Sequence, residues 1–87
     1  MIKLAQIHVI GDAGLALTFT DGTTAPWSAD DLIARDTVLT RPLADPAYFA
    51  RAFIESGALA WPNGLELSPT ALHTTLAEAG SLRREAA

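Results

Sequence analysis

Apolar and polar residues alternate with a period of two through the first third of the chain. Ile7 and Val9 share one parity against His8 and Ile10, and Leu15, Leu17 and Phe19 alternate with Ala16, Thr18 and Thr20. Such alternation is the signature of strands that bury one face, and Gly11-Asp12-Ala13-Gly14 separates the two as a turn. Ile2 and Leu4 have the opposite parity to Ile7 and Val9, so a strand beginning at Ile2 requires a bulge near Ala5-Gln6 to keep all four on one side. Asp21-Gly22 is the strongest hairpin signal and predicts a two-residue type I′ turn with positive φ at both centres. A strand from Thr23 to Trp27 follows, and Pro26, which has no N–H to donate, places it at a sheet edge or ends it early.

The period then changes. Ser28 followed by Asp31 predicts an N-cap with an acid in the first turn, opening a short helix through Leu32, Ile33 and Ala34. Residues 35–44 lack periodicity and read as a loop, with Val38, Leu39 and Leu43 expected against the core. Asp45-Pro46 predicts a cap and first helical position, and Tyr48, Phe49 and Ala52 fall on one stripe of a helix ending near Ala52. Ser56-Gly57 predicts a small hairpin leading into a strand at Leu59 and Trp61. Ser68-Pro69 repeats the cap-plus-proline pattern and opens the clearest helix, Pro69 to Ala79, with Leu72, Leu76 and Ala79 on one face and Gly80 as its stop.

Trp61-Pro62-Asn63-Gly64 is the most distinctive stretch. Pro62 should halt strand pairing, Asn63-Gly64 tolerates positive φ, and Leu65 and Leu67 resume the two-residue period. The predicted fold is therefore α+β: an antiparallel meander of hairpins packed against two or three short helices, with residues 1–80 forming one domain and 81–87 a C-terminal tail.

At 87 residues with 49% apolar and 18% charged positions, the chain has the hydrophobic content of a globular domain and too little charge for a disordered one. A core this small leaves a thin margin of stability, which a second copy in a homodimer would relieve. The formal charge of −4 disfavours broad contact with nucleic acid or anionic membrane. Cysteine is absent, which excludes disulfides and thiolate metal sites. No apolar run approaches the ~20 residues of a membrane span and the N-terminus lacks the pattern of a signal peptide, so a cytoplasmic location is expected.

Chemistry is sparse. His8 and His73 are isolated from each other in sequence, and are expected to be structural rather than metal-binding or basic catalysts. Asp30 and Asp31 are explained by a helix start, Asp12 and Asp21 by turns and Asp45 by a cap. No phosphate loop, nucleophile elbow or HExxH occurs. No catalytic, cofactor or metal residue is assigned and an enzyme is not expected. What remains is a candidate interaction surface made of Trp27, Trp61, Asn63 and Glu66; Trp27, beside Pro26 at an edge strand, is read first as core packing and second as an aromatic anchor for another chain, and Trp61 is read first as a core residue.

The order Leu17-Thr18-Phe19-Thr20-Asp21-Gly22, Pro42-Leu43-Ala44-Asp45-Pro46 with Phe49, and Trp61-Pro62-Asn63-Gly64-Leu65-Glu66-Leu67-Ser68-Pro69 with Leu72 resembles the small bacterial domains catalogued as domain of unknown function 2442. The resemblance runs from about Ile7 to Leu72 and implies an α+β fold with an antiparallel sheet. It also implies a module often encoded beside another small protein, in an arrangement like that of toxin and antitoxin. Some members carry a C-terminal helix-turn-helix, which is not expected in the short stretch after Ala79, and Glu66 stands where the family usually has Asp. The leading functional expectation is a non-enzymatic protein-interaction module whose partner is a second copy or a small protein encoded nearby. An antitoxin-like or regulatory protein that sequesters a basic partner is the second. A small ligand-binding domain or enzyme using Asn63, Glu66 and a histidine is the third.

Overall fold

A computed structural model describes residues 1–84 and shows an α+β fold with two antiparallel sheets and short helices. The first sheet runs β1 (Leu4–Ile10), β2 (Gly14–Phe19), β3 (Thr23–Ser28) and β7 (Arg83–Arg84), in that spatial order. Between β3 and β7 the chain forms α1 (Asp30–Arg35), a 3-10 helix at Arg41–Ala44, α2 (Pro46–Phe49), a second sheet of β4 (Phe53–Glu55), β5 (Ala58–Ala60) and β6 (Glu66–Leu67), and α3 (Pro69–Glu78).

The two-residue period does its expected work in the first sheet. Leu15, Leu17 and Phe19 are buried, and across the ladder Leu17 opposes Ile7 and Ala25 while Leu15 opposes Val9 and Trp27. The parity conflict in β1 is resolved by a register shift between Leu4 and Gln6, the bulge that the sequence requires, so Leu4 opposes Phe19 and joins the core. Pro26 lies on β3 beyond the two residues that β7 covers, Thr23 and Thr24, and so occupies an open edge where no donor is needed. The stretch expected to be a tail contributes β7; residues 85–87 lie outside the described residues.

Turn chemistry departs from expectation in an instructive way. At Asp21-Gly22 only Gly22 has positive φ, and its N–H closes a turn onto Phe19 O at 3.0 Å. Asp21 stays at negative φ because its Oδ1 accepts from both the N–H and the hydroxyl of Thr23, an arrangement a type I′ turn would not leave in place. The type I′ geometry occurs instead at Ser56-Gly57, where φ is 51° and 86° and Glu55 pairs directly with Ala58.

Three helical expectations shift. Ser28 is not the N-cap of α1; Ala29 is, although the Ser28 hydroxyl still accepts from Asp30 N–H at 3.1 Å. The second helix ends at Phe49 rather than near Ala52, because Phe53–Glu55 is taken up by strand pairing. Val38 and Leu39 do not enter the core: Arg41 N–H bonds Thr37 O and the Thr37 and Thr40 side chains bond each other, which places Val38 at the apex, 81% exposed, and leaves Leu43 and Thr40 as the buried residues. Asp45 and Ser68 cap their helices as expected, each accepting a backbone N–H, and α3 buries Leu72 and Leu76 while Ala79 serves as an exposed C-cap.

The two sheets meet where Leu4 N–H donates to Gly57 O at 2.9 Å and the Lys3 stem lies over Gly57. A β-carbon at Gly57 would fall 2.7 Å from Lys3 Cβ, whereas one at Gly64, also at positive φ, would meet nothing. Gly64→Ala therefore carries left-handed strain alone, about 1–3 kcal/mol. Gly57→Ala is expected to lower the urea-unfolding free energy by more than Gly64→Ala, the excess reporting the contact between the sheets.

Candidate functional site

Trp61 sits at the centre of the molecule, 1% exposed. Its indole N–H donates to Phe49 O at 3.0 Å, its ring stands 5.8 Å from that of Phe49 and 6.3 Å from that of Trp27, and its backbone closes the following turn through Leu65 O and Gly64 N–H. It is a core anchor, so it drops out of the candidate surface.

Asn63 is used up locally. Its Oδ1 accepts from Leu65 N–H at 3.1 Å, its Nδ2 donates to Leu39 O at 3.1 Å, and its own N–H is taken by the Tyr48 hydroxyl at 3.0 Å. The amide thereby ties the turn to the loop before the 3-10 helix, and its backbone φ is not positive. Glu66 is exposed on β6 opposite Ala60. Among the described residues no hydrogen bond joins Asn63, Glu66 and either histidine, and no group of His, Asp and Glu is placed to hold a metal ion.

Trp27 is the member of the four that lines a recess. Half-buried against the core, it lines a groove of about 290 Å³ with Leu32 from α1, Leu67 from β6 and Leu72 from α3; Asp31 and Arg35 bring charge to the same groove. The polar groups at its two helix starts are already satisfied, Ser28 by Asp30 N–H and Ser68 by Ala71 N–H. Every fully buried side-chain nitrogen and oxygen among the described residues also has a partner. The groove is thus an apolar recess with charged groups at hand. Sequence reasoning found Trp27 from its edge position but not the recess, since Leu32, Leu67 and Leu72 converge on it from separate elements.

A second cluster escaped sequence reasoning altogether. His73 Nε2 lies 2.9 Å from Asp21 Oδ2, its ring stands edge-on to Phe19 at 5.0 Å, and Arg84 Nη1 donates to Asp21 O. The Thr23 hydroxyl and N–H, and then His73, hold the Asp21 carboxyl down at about 2, from an ordinary 3.8. The four groups pin α3 and β7 to the β2–β3 turn. The cluster thus clasps segments that are distant in sequence. Its partners are 52 positions apart, which is why no local spacing signals it.

Comparison with protein-family models, with curated proteins and with solved structures finds no match to this chain. No helix among the described residues is long and apolar enough to cross a membrane.

A carboxylate whose folded pKa is depressed contributes stability above its unfolded pKa and loses it as pH falls through the folded one. For Asp21 that window runs from near 3.8 down to about 2. Acid titration of unfolding free energy should show a fall across this window that is shallower in Asp21→Asn. Asn63→Ala should lower stability by about 1–3 kcal/mol through two lost side-chain hydrogen bonds, seen in thermal or urea unfolding.

Proposed function

We propose that this chain is a non-enzymatic interaction module that seats an apolar side chain of a protein partner in the groove between α1, β6 and α3, against Trp27. The observation that carries this reading is the half-buried indole of Trp27 in an open apolar recess, while Trp61 and Asn63 are committed to the fold. Half-buried tryptophan at the centre of an apolar patch with polar surroundings is the typical composition of a binding hot spot. Asp31 in the groove, exposed Asp30 and Glu66 on neighbouring positions, and the net charge of −4 favour a partner segment with basic residues beside its apolar anchor. The resemblance to a family often encoded beside another small protein points to such a protein as the partner, in the manner of an antitoxin-like regulator.

Ala71 is an exposed α3 residue lining the groove, so Ala71→Trp should fill the recess without disturbing the core. Co-expression with the product of the adjoining gene should yield a complex that weakens as salt rises, since exposed charges are screened. Ala71→Trp, melting within a few degrees of wild type, should lose that complex. A folded Ala71→Trp protein that retains the partner at full strength would overturn the reading.

A further inference from the structure

We infer that Asn63-Gly64 is a self-modifying site: the chain deamidates there when the turn after Trp61 opens, and the folded turn holds the reaction back. Neither residue lines the groove, so the site is separate from it.

Asparagine is a chemically labile residue, and it is most labile before glycine, which has no Cβ to shield the backbone nitrogen that attacks the side chain. The Gly64 nitrogen gives up its proton and bonds to Asn63 Cγ. The Cγ–Nδ2 bond breaks, and Nδ2 takes up that proton and leaves as ammonia. Water then adds to either carbonyl of the cyclic imide and opens it, to aspartate or to the isomer whose main chain runs through the side-chain carboxyl. Water is the sole co-reactant, and nothing is oxidised or reduced. Asn63 is the only asparagine in the chain. Pro62, Asn63 and Gly64 are exposed, and a β-carbon at Gly64 would meet nothing within 4 Å, so water and the attacking group are unobstructed. Sequence and exposure together mark position 63 as reactive.

The hydrogen bonds of the folded turn oppose that reactivity. Gly64 N–H, whose proton must go before the nitrogen can attack, donates to Trp61 O at 3.1 Å. The leaving nitrogen Nδ2 donates to Leu39 O, and Oδ1 accepts from Leu65 N–H, each at 3.1 Å, which fixes the plane of the side-chain amide. The main chain is held on both sides of the reacting pair: Asn63 N–H donates to the Tyr48 hydroxyl and Trp61 N–H to Leu65 O, each at 3.0 Å. The imide has no N–H at Gly64 and no Nδ2, so closing the ring inside the fold leaves Trp61 O and Leu39 O without the donors they now have. Position 63 therefore reacts at its intrinsic rate only after this network opens. The products act back on the fold. A carboxylate at position 63 sets an acceptor against Leu39 O, with no hydrogen between them, and the isomer adds a carbon to the main chain of the turn. The loop carrying Leu39 loses its tie to the turn, and a chain modified once opens more readily than before. Conversion at Asn63 is in this way a cumulative record of the time the molecule has spent open.

The full chain is incubated at mildly alkaline pH, in buffer and in guanidinium chloride above its unfolding midpoint, and the mass of the peptide containing Asn63 is followed over time. In denaturant it should gain the mass of an amide-to-acid exchange at the rate of a synthetic Trp61-Pro62-Asn63-Gly64-Leu65 peptide. In buffer the gain should be slower by about tenfold or more, as the loss of two hydrogen bonds implies. Gly64→Ala should slow conversion in denaturant. Tyr48→Phe removes the hydroxyl that receives Asn63 N–H, and should speed conversion in buffer while leaving the rate in denaturant unchanged. Wild-type chain converted in denaturant and returned to buffer should unfold at a lower denaturant concentration than unconverted chain. Equal rates in the two solvents, a rate in buffer unmoved by Tyr48→Phe, or a converted chain as resistant to denaturant as the unconverted one would each overturn the inference. The solvent comparison uses wild-type protein and so stands however the variants fold.

Discussion

The indole of Trp61 is the contact on which the rest of the molecule depends. One side chain reaches Phe49 at the end of α2 through a buried hydrogen bond and stands close to the rings of Phe49 and Trp27, while its backbone organises the turn into β6. In a chain of 87 residues no second residue of that size is fully buried. The indole of Trp61 thus links the first sheet, through Trp27, to the second sheet and α2, alongside the junction of Leu4 with Gly57.

The legibility of the fold in the sequence tracks the range of the forces involved. Period-two alternation placed β1, β2 and β3, and parity alone demanded the bulge between Leu4 and Gln6, because side-chain direction in a strand is set within two residues. Asp45-Pro46 and Ser68-Pro69 announced their helices for the same local reason. Errors came where a specific side-chain hydrogen bond, near or far in sequence, overrode the generic propensity of the segment. Asp21 gave up type I′ geometry for Thr23, a choice that His73 and Arg84 reinforce, and Val38 and Leu39 were expelled by the mutual bonding of Thr37 and Thr40. The tail became β7 because β3 had unpaired backbone at Thr23 and Thr24 to offer it.

The candidate surface divides along the same line. Trp27 could be placed on an edge strand beside Pro26 from the sequence, and it is partly buried there. Trp61 was rightly read first as core, and Asn63, read as a turn residue, spends one amide hydrogen on Leu39 and one oxygen lone pair on Leu65. The recess itself could not be read in advance: its apolar walls come from α1, β6 and α3, whose mutual approach is a property of the folded chain.

The clasp between Asp21 and His73 has a kinetic consequence. Joining positions 52 apart encloses more than half of the chain in one loop, and contacts of that span become favourable only after the hairpins between them have formed. Docking α3 and β7 onto the β2–β3 turn therefore carries a larger closure entropy than forming either hairpin of the first sheet. Those segments reach the first sheet through the clasp and through the two-residue ladder of β7 with β3, the contacts with the longest loop to close.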